Sequence, residues 1–124
     1  MDVSKIMPER AEKYCVCISA GDGKYFYINS EHREIYDDFE IKSSDYSFLS
    51  RDSYVSCHKA HVLDNEFIIR KLGNFGYDDM LKILNKIQNS KNINKAESSA
   101  LIIELEEWLE NYQENQLKNI FDNR

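Results

Sequence analysis

A chain of 124 residues, 42% hydrophobic and 12% aromatic, can build one hydrophobic core, and one domain is the expectation. Its formal charge of −6 excludes a protein whose whole surface grips nucleic acid, although it leaves room for a local basic groove. No apolar run approaches the ~20 residues that span a bilayer, and Met1-Asp2-Val3-Ser4-Lys5-Ile6 lacks the basic-then-apolar pattern of a secretion signal, so the expected setting is the cytoplasm, away from membranes.

The first half reads as strands. Tyr14-Cys15-Val16-Cys17-Ile18-Ser19 and Lys24-Tyr25-Phe26-Tyr27-Ile28-Asn29 are rich in β-formers and flank Ala20-Gly21-Asp22-Gly23, which is turn chemistry, so the two form a hairpin. Asp38-Phe39-Glu40-Ile41-Lys42 alternates with the period of two that marks a half-buried third strand. Further strands are expected at Asp52–Cys57 and at Phe67–Leu72, the latter ending at Gly73-Asn74. A short stretch at His61-Val62-Leu63 and a turn at Asp64-Asn65 lie between them. Five or six short strands with one apolar face are expected to close into a small barrel or a strongly bent sheet, because closure removes unpaired edges.

After Gly76 the apolar period lengthens to about 3.6 residues. Met80, Ile83, Leu84 and Ile87 share a face, and Asp78 and Asp79 stand at the positive end of the helix dipole, which predicts a helix from about Tyr77 to about Ser90. Asn94 with Glu97 resembles a capping box and opens a second helix. Its stripe of Leu101, Leu105, Trp108, Leu109, Tyr112, Leu117, Ile120 and Phe121 needs a partner along most of its length. Two arrangements remain open. Either the stripe packs wholly within the chain, or the part from about Tyr112 binds a second subunit or another protein. Glu104, Glu106, Glu107, Glu110 and Glu114 put much of the negative charge on this helix, away from the first half. The fold class is therefore α+β, a small barrel followed by two amphipathic helices.

Cys15 and Cys17 share a strand face and read as small buried hydrophobes, and with Cys57 they are expected to be reduced thiols. Cys57, His58 and His61 invite a zinc reading. It is set aside because adjacent strand residues point to opposite faces and no second paired motif exists. His58 stays a candidate for proton transfer, since an imidazole titrates near neutrality.

The segment Phe48-Leu49-Ser50-Arg51-Asp52-Ser53-Tyr54-Val55 resembles a motif of the MazF/PemK-like toxins, a loop ending in Asp-Ser that leads into a strand. His61-Val62-Leu63-Asp64, Ile69-Arg70-Lys71-Leu72-Gly73 and Tyr77–Leu84 follow in that family's order, and Cys15-Val16-Cys17-Ile18-Ser19 is similar to its first long strand, so the resemblance spans about residues 13–84. It implies an SH3-like barrel, a homodimer, and a metal-independent endoribonuclease that needs no cofactor, cleaves single-stranded RNA and is restrained by an antitoxin peptide. Such a reaction uses the 2′-hydroxyl as nucleophile and asks for proton-transfer groups and cationic donors to the phosphate.

The family draws on an Arg-Pro pair before the first strand and a Thr or Ser after the next. This sequence has Lys13-Tyr14 at the first place, with Arg10 the nearest guanidinium, and Asn29-Ser30 at the second. The implied catalytic candidates are Arg10 or Lys13 for the phosphate, with Ser30 or His58 assisting proton transfer. Ser30 qualifies if Asn29 ends its strand. Lysine lacks the bidentate fork of arginine, so the departure bears directly on catalysis. Tyr14 and Tyr25, beside Lys13 and Lys24, are candidate RNA-binding residues, because exposed rings stack on unpaired bases. In a strand, tyrosine equally serves as a packing residue. Ser53 is either a turn-capping hydroxyl or a further RNA contact. A barrel of the same kind that has lost cleavage would instead be a protein-binding module, an inhibitor or regulator in bacterial or phage conflict.

Overall fold

A computed structural model describes residues 2–6, 13–64 and 68–122. Arg10, the expected turn residue Asn65 and the expected strand residue Phe67 lie outside them. Among the described residues seven strands, all paired antiparallel, form one sheet: β1 (Asp2–Ile6), β2 (Lys13–Ser19), β3 (Lys24–Asn29), β4 (Phe39–Ile41), β5 (Ser53–Val55), β6 (His61–Val62) and β7 (Ile68–Asn74). Six of them follow one continuous path, β4-β5-β3-β2-β1-β7, while β6 pairs with β3. The sheet curls into half a barrel, and no pairing joins its β4 and β7 ends among the described residues. Helices α1 (Tyr77–Gln88) and α2 (Lys95–Asp122) complete the α+β architecture.

The hairpin forms where its turn chemistry places it. Gly23 has φ of 63°, the left-handed conformation that glycine adopts without a Cβ penalty. Val16, Ile18, Phe26 and Ile28 face the helices and join Val55, Met80, Ile83, Ile87, Leu101 and Leu105 in the main core. The opposite face of the hairpin carries a second, smaller cluster in which Cys15, Cys17 and Tyr25 are buried against Tyr27, Leu63 and Ile68. All three cysteines are buried thiols outside any disulfide, and burial, the leading cause, pushes the Cys15 thiol up to about 12, so it is inert at neutral pH.

Strand β1 was not expected from the sequence, yet it joins β7 to the hairpin. Val3 pairs with Val16 of β2 on one side and Gly73 of β7 on the other. Gly73 lets the Phe48 ring approach closely, since a Cβ there would sit 3.1 Å from that ring, tighter than ordinary contact.

The long connection between β4 and β5 is anchored by its aromatic residues. The Tyr46 ring lies 5.4 Å from Phe48 and 5.1 Å from Phe75, and its hydroxyl accepts from the Gly76 N–H at 3.1 Å and donates to Asp79. Burial and the anionic Asp79 both raise the Tyr46 pKa, which keeps the phenol a donor. This contact fixes the connection to the first turn of α1.

Asn94 caps α2 as its sequence predicts, its Oδ1 accepting from the Glu97 N–H at 2.8 Å. The Glu97 carboxylate reaches Lys24 on β3 at 3.4 Å and so ties the helix start to the hairpin. Leu101, Leu105 and Leu109 are buried, whereas Tyr112 is 36% and Leu117 56% exposed. The 28 residues of α2 outrun the 12 of α1; Tyr112 packs against Tyr77 and Trp108, while Leu117 stays open.

Candidate functional site

The β3–β5 pairing determines what meets at one end of the sheet. Ile28 pairs with Val55 and Asn29 with Tyr54, which brings the chain before β5 alongside the end of β3. Asn29 is the final residue of β3, the condition under which Ser30 stands at the expected position, and its side-chain amide donates to Ser56 Oγ at 2.6 Å. A cleft of about 450 Å³ opens here, lined by Lys13, Tyr14, Ile28, Asn29, Ser30, Leu49, Ser50, Arg51 and Ser53.

Four candidates from the sequence, Lys13, Tyr14, Ser30 and Ser53, are thus brought together, although they come from three separated stretches of chain. The structure adds Arg51, a residue of the Phe48–Val55 motif with no role expected from sequence. Its loop is held from both sides. Asp52 Oδ1 accepts from the Ser43 N–H at 2.9 Å and the Ser43 hydroxyl at 3.1 Å, and Ser53 Oγ donates to the Arg51 carbonyl at 3.1 Å. The hydrogen bonds from Ser43, chiefly, lower the Asp52 pKa, and Lys42 at 3.6 Å adds to the effect. Arg51 lines the cleft, and among the described residues its guanidinium has no hydrogen-bond or ion-pair partner.

Charge separates this cleft from its neighbours. Among the described residues no carboxylate lines it, whereas a cleft between α2 and the sheet carries Glu104 and Glu107, and another beside α1 carries Asp45, Asp78 and Asp79. A chain with net charge −6 therefore keeps two cations and three serine hydroxyls together in one concavity.

The other candidates lie elsewhere. Lys24 is paired with Glu97, and Tyr25 is only 7% exposed, its ring committed to the second cluster. His58 does not line the cleft. Its ring stacks on Tyr36 at 4.9 Å and its Nδ1 is buried without a partner. Ser53 is buried and bonds to backbone, the turn-capping alternative, while still bordering the cleft.

Beside the cleft, on the hairpin face that carries Lys13, the Tyr27 and His61 rings stack with centroids 3.8 Å apart and planes within 8°. The Lys13 ammonium sits 5.0 Å from the Tyr27 centroid on this face. Burial first, then the nearby Lys59, His58 and Lys13, pushes the His61 pKa down to about 4, so the imidazole is neutral at neutral pH.

No protein-family model matches the chain, and no curated protein matches it at a significant level. The family resemblance thus rests on the motifs quoted above. No helix among the described residues is long and apolar enough to cross a membrane.

Proposed function

We propose that this protein is a MazF/PemK-like, SH3-like half-barrel that holds single-stranded RNA in the Lys13–Arg51 cleft and promotes its metal-independent cleavage. The observation that carries the reading is the convergence of Lys13, Tyr14, Ser30 and Ser53 on one cleft that no carboxylate lines among the described residues, with Arg51 supplying the guanidinium that the family pattern asks for at another position. An arginine fork and an ammonium suit a phosphodiester, whose oxygens accept bidentate and point-charge contacts respectively.

In the proposed reaction the RNA 2′-oxygen bonds to phosphorus as the bond from phosphorus to the 5′-oxygen breaks. Lys13 and Arg51 neutralise the charge that builds on the non-bridging oxygens. Among the described residues the cleft lining holds no imidazole or carboxylate. The 2′-hydroxyl proton therefore passes to solvent, and a serine hydroxyl or water protonates the departing 5′-oxygen. Electrostatic stabilisation thus supplies most of the acceleration.

A long single-stranded RNA incubated with the protein in excess chelator tests this reading. Fragments ending in 2′,3′-cyclic phosphate and 5′-hydroxyl groups are expected, and RNA that stays intact at high protein concentration would overturn the cleavage step.

One observation favours the second reading, a protein-binding module: the exposed Tyr112 and Leu117 on the distal part of α2. Such a surface suits an antitoxin-like or other protein partner, or a second copy of the chain in a homodimer. It is compatible with RNA binding at the cleft, which lies on other elements.

A further inference from the structure

We propose that the Tyr27 ring, backed by His61, is a subsite for one unpaired nucleobase of the RNA whose phosphate occupies the adjoining cleft. This rests on the RNA reading of the cleft and names what lies next to the phosphate. Lys13 belongs to both places, since it lines the cleft and its ammonium lies 5.0 Å from the Tyr27 centroid. His61 stacks on the same ring at 3.8 Å, nearly parallel.

A partly exposed contact between an ammonium and a ring, as here, is weaker than a charge-assisted hydrogen bond. A phosphate entering the cleft therefore draws Lys13 away from the ring, and the aromatic surface it leaves suits a base. The new stack is base, then Tyr27, then His61.

Three features fit a base rather than a cationic ligand. Tyr27 is half-buried, with its edge set by the pairing of β3 with β2, so stacking on it costs little side-chain freedom. The neutral imidazole behind it adds no positive charge to the stack. Asn29, two residues along on the same strand face, is fixed by its bond to Ser56 and stands in the cleft lining, so phosphate site and ring are successive positions along one strand. Stacking accepts any base, so the subsite confers preference for single strands over duplex rather than sequence specificity.

The experiment compares a fluorescein-labelled ten-nucleotide RNA with an abasic ribose-phosphate oligonucleotide of equal length, by anisotropy. The wild-type protein should bind the base-containing strand about ten-fold more tightly, the range expected for one stacked base. Tyr27→Val, a replacement that keeps the strand preference, should lose that difference, His61→Ala should reduce it, and His61→Phe, which restores a stacking ring, should retain it. Equal binding of the two oligonucleotides by the wild type, or an undiminished difference in Tyr27→Val, would overturn the subsite while leaving the cleft reading intact. Failure of the wild type to bind either oligonucleotide would instead remove the RNA reading, and the subsite with it.

Discussion

Replacing both Lys13 and Arg51 by alanine should weaken binding of single-stranded RNA by about 100-fold or more at low salt. A hydrogen bond to a charged group contributes roughly 1.5–3 kcal/mol, and two such losses total roughly 3–6 kcal/mol. Solvent screening moves the outcome toward the lower end, since exposed pairs fall well below buried ones. At about 1.4 kcal/mol per factor of ten, even that end corresponds to two orders of magnitude. Salt dependence offers a second readout. Each phosphate contact to a single strand contributes about 0.7 to the slope of log affinity against log salt, so the double variant should lose about 1.4. Arg51 is exposed and its loop is held by Asp52 and Ser53 rather than by its own side chain, so the thermal midpoint should hardly move. Anisotropy titrations across a salt series measure all of this, and an unchanged slope would show that neither cation meets phosphate.

The largest loss of stability should come from Phe26→Ala. Phe26 is fully buried, pairs across the hairpin with Val16 and belongs to the core shared by the sheet and both helices. Truncating a buried phenylalanine costs about 3–5 kcal/mol, because transfer free energy and cavity formation add. Against a typical total of about 5–15 kcal/mol, that leaves a marginal protein. Ile103→Ala, at a position 60% exposed on α2, should cost little and serves as the control. Urea unfolding with an unchanged slope and a lower midpoint is the expected result. The consequence reaches the site, because β3 also carries Asn29 and positions Ser30 in the cleft.

Local signals carried much of this architecture into the sequence. Turn residues between two β-rich runs mark the hairpin, and the change of apolar period marks α1 and α2, with Asn94 acting as the cap its position indicates. Strand β1 left no such trace. Its five residues include only Val3 and Ile6 as apolar side chains, and its partners in β7 lie far along the chain, so only tertiary pairing reveals it.

Tyr25 and Lys24 show a different limit. Tyr25-Phe26-Tyr27-Ile28 is apolar without alternation, the pattern of a strand covered on both faces, and the second cluster supplies that other cover. Read that way, the run would have placed Tyr25 inside. The pairing of Lys24 with Glu97 joins residues 73 positions apart, and no local pattern encodes it. Arg51 was legible as a residue but not as a site member, because its approach to Ser30 depends on the register of β3 against β5.

The most direct test of the central claim is a titration of isotope-labelled protein with a short single-stranded RNA, followed through the backbone amide resonances. Shifts should concentrate at Lys13 and Tyr14, at Ile28 to Ser30 and at Leu49 to Ser53. Shifts confined to the distal turns of α2, or no shifts at all, would contradict the cleft as the RNA site.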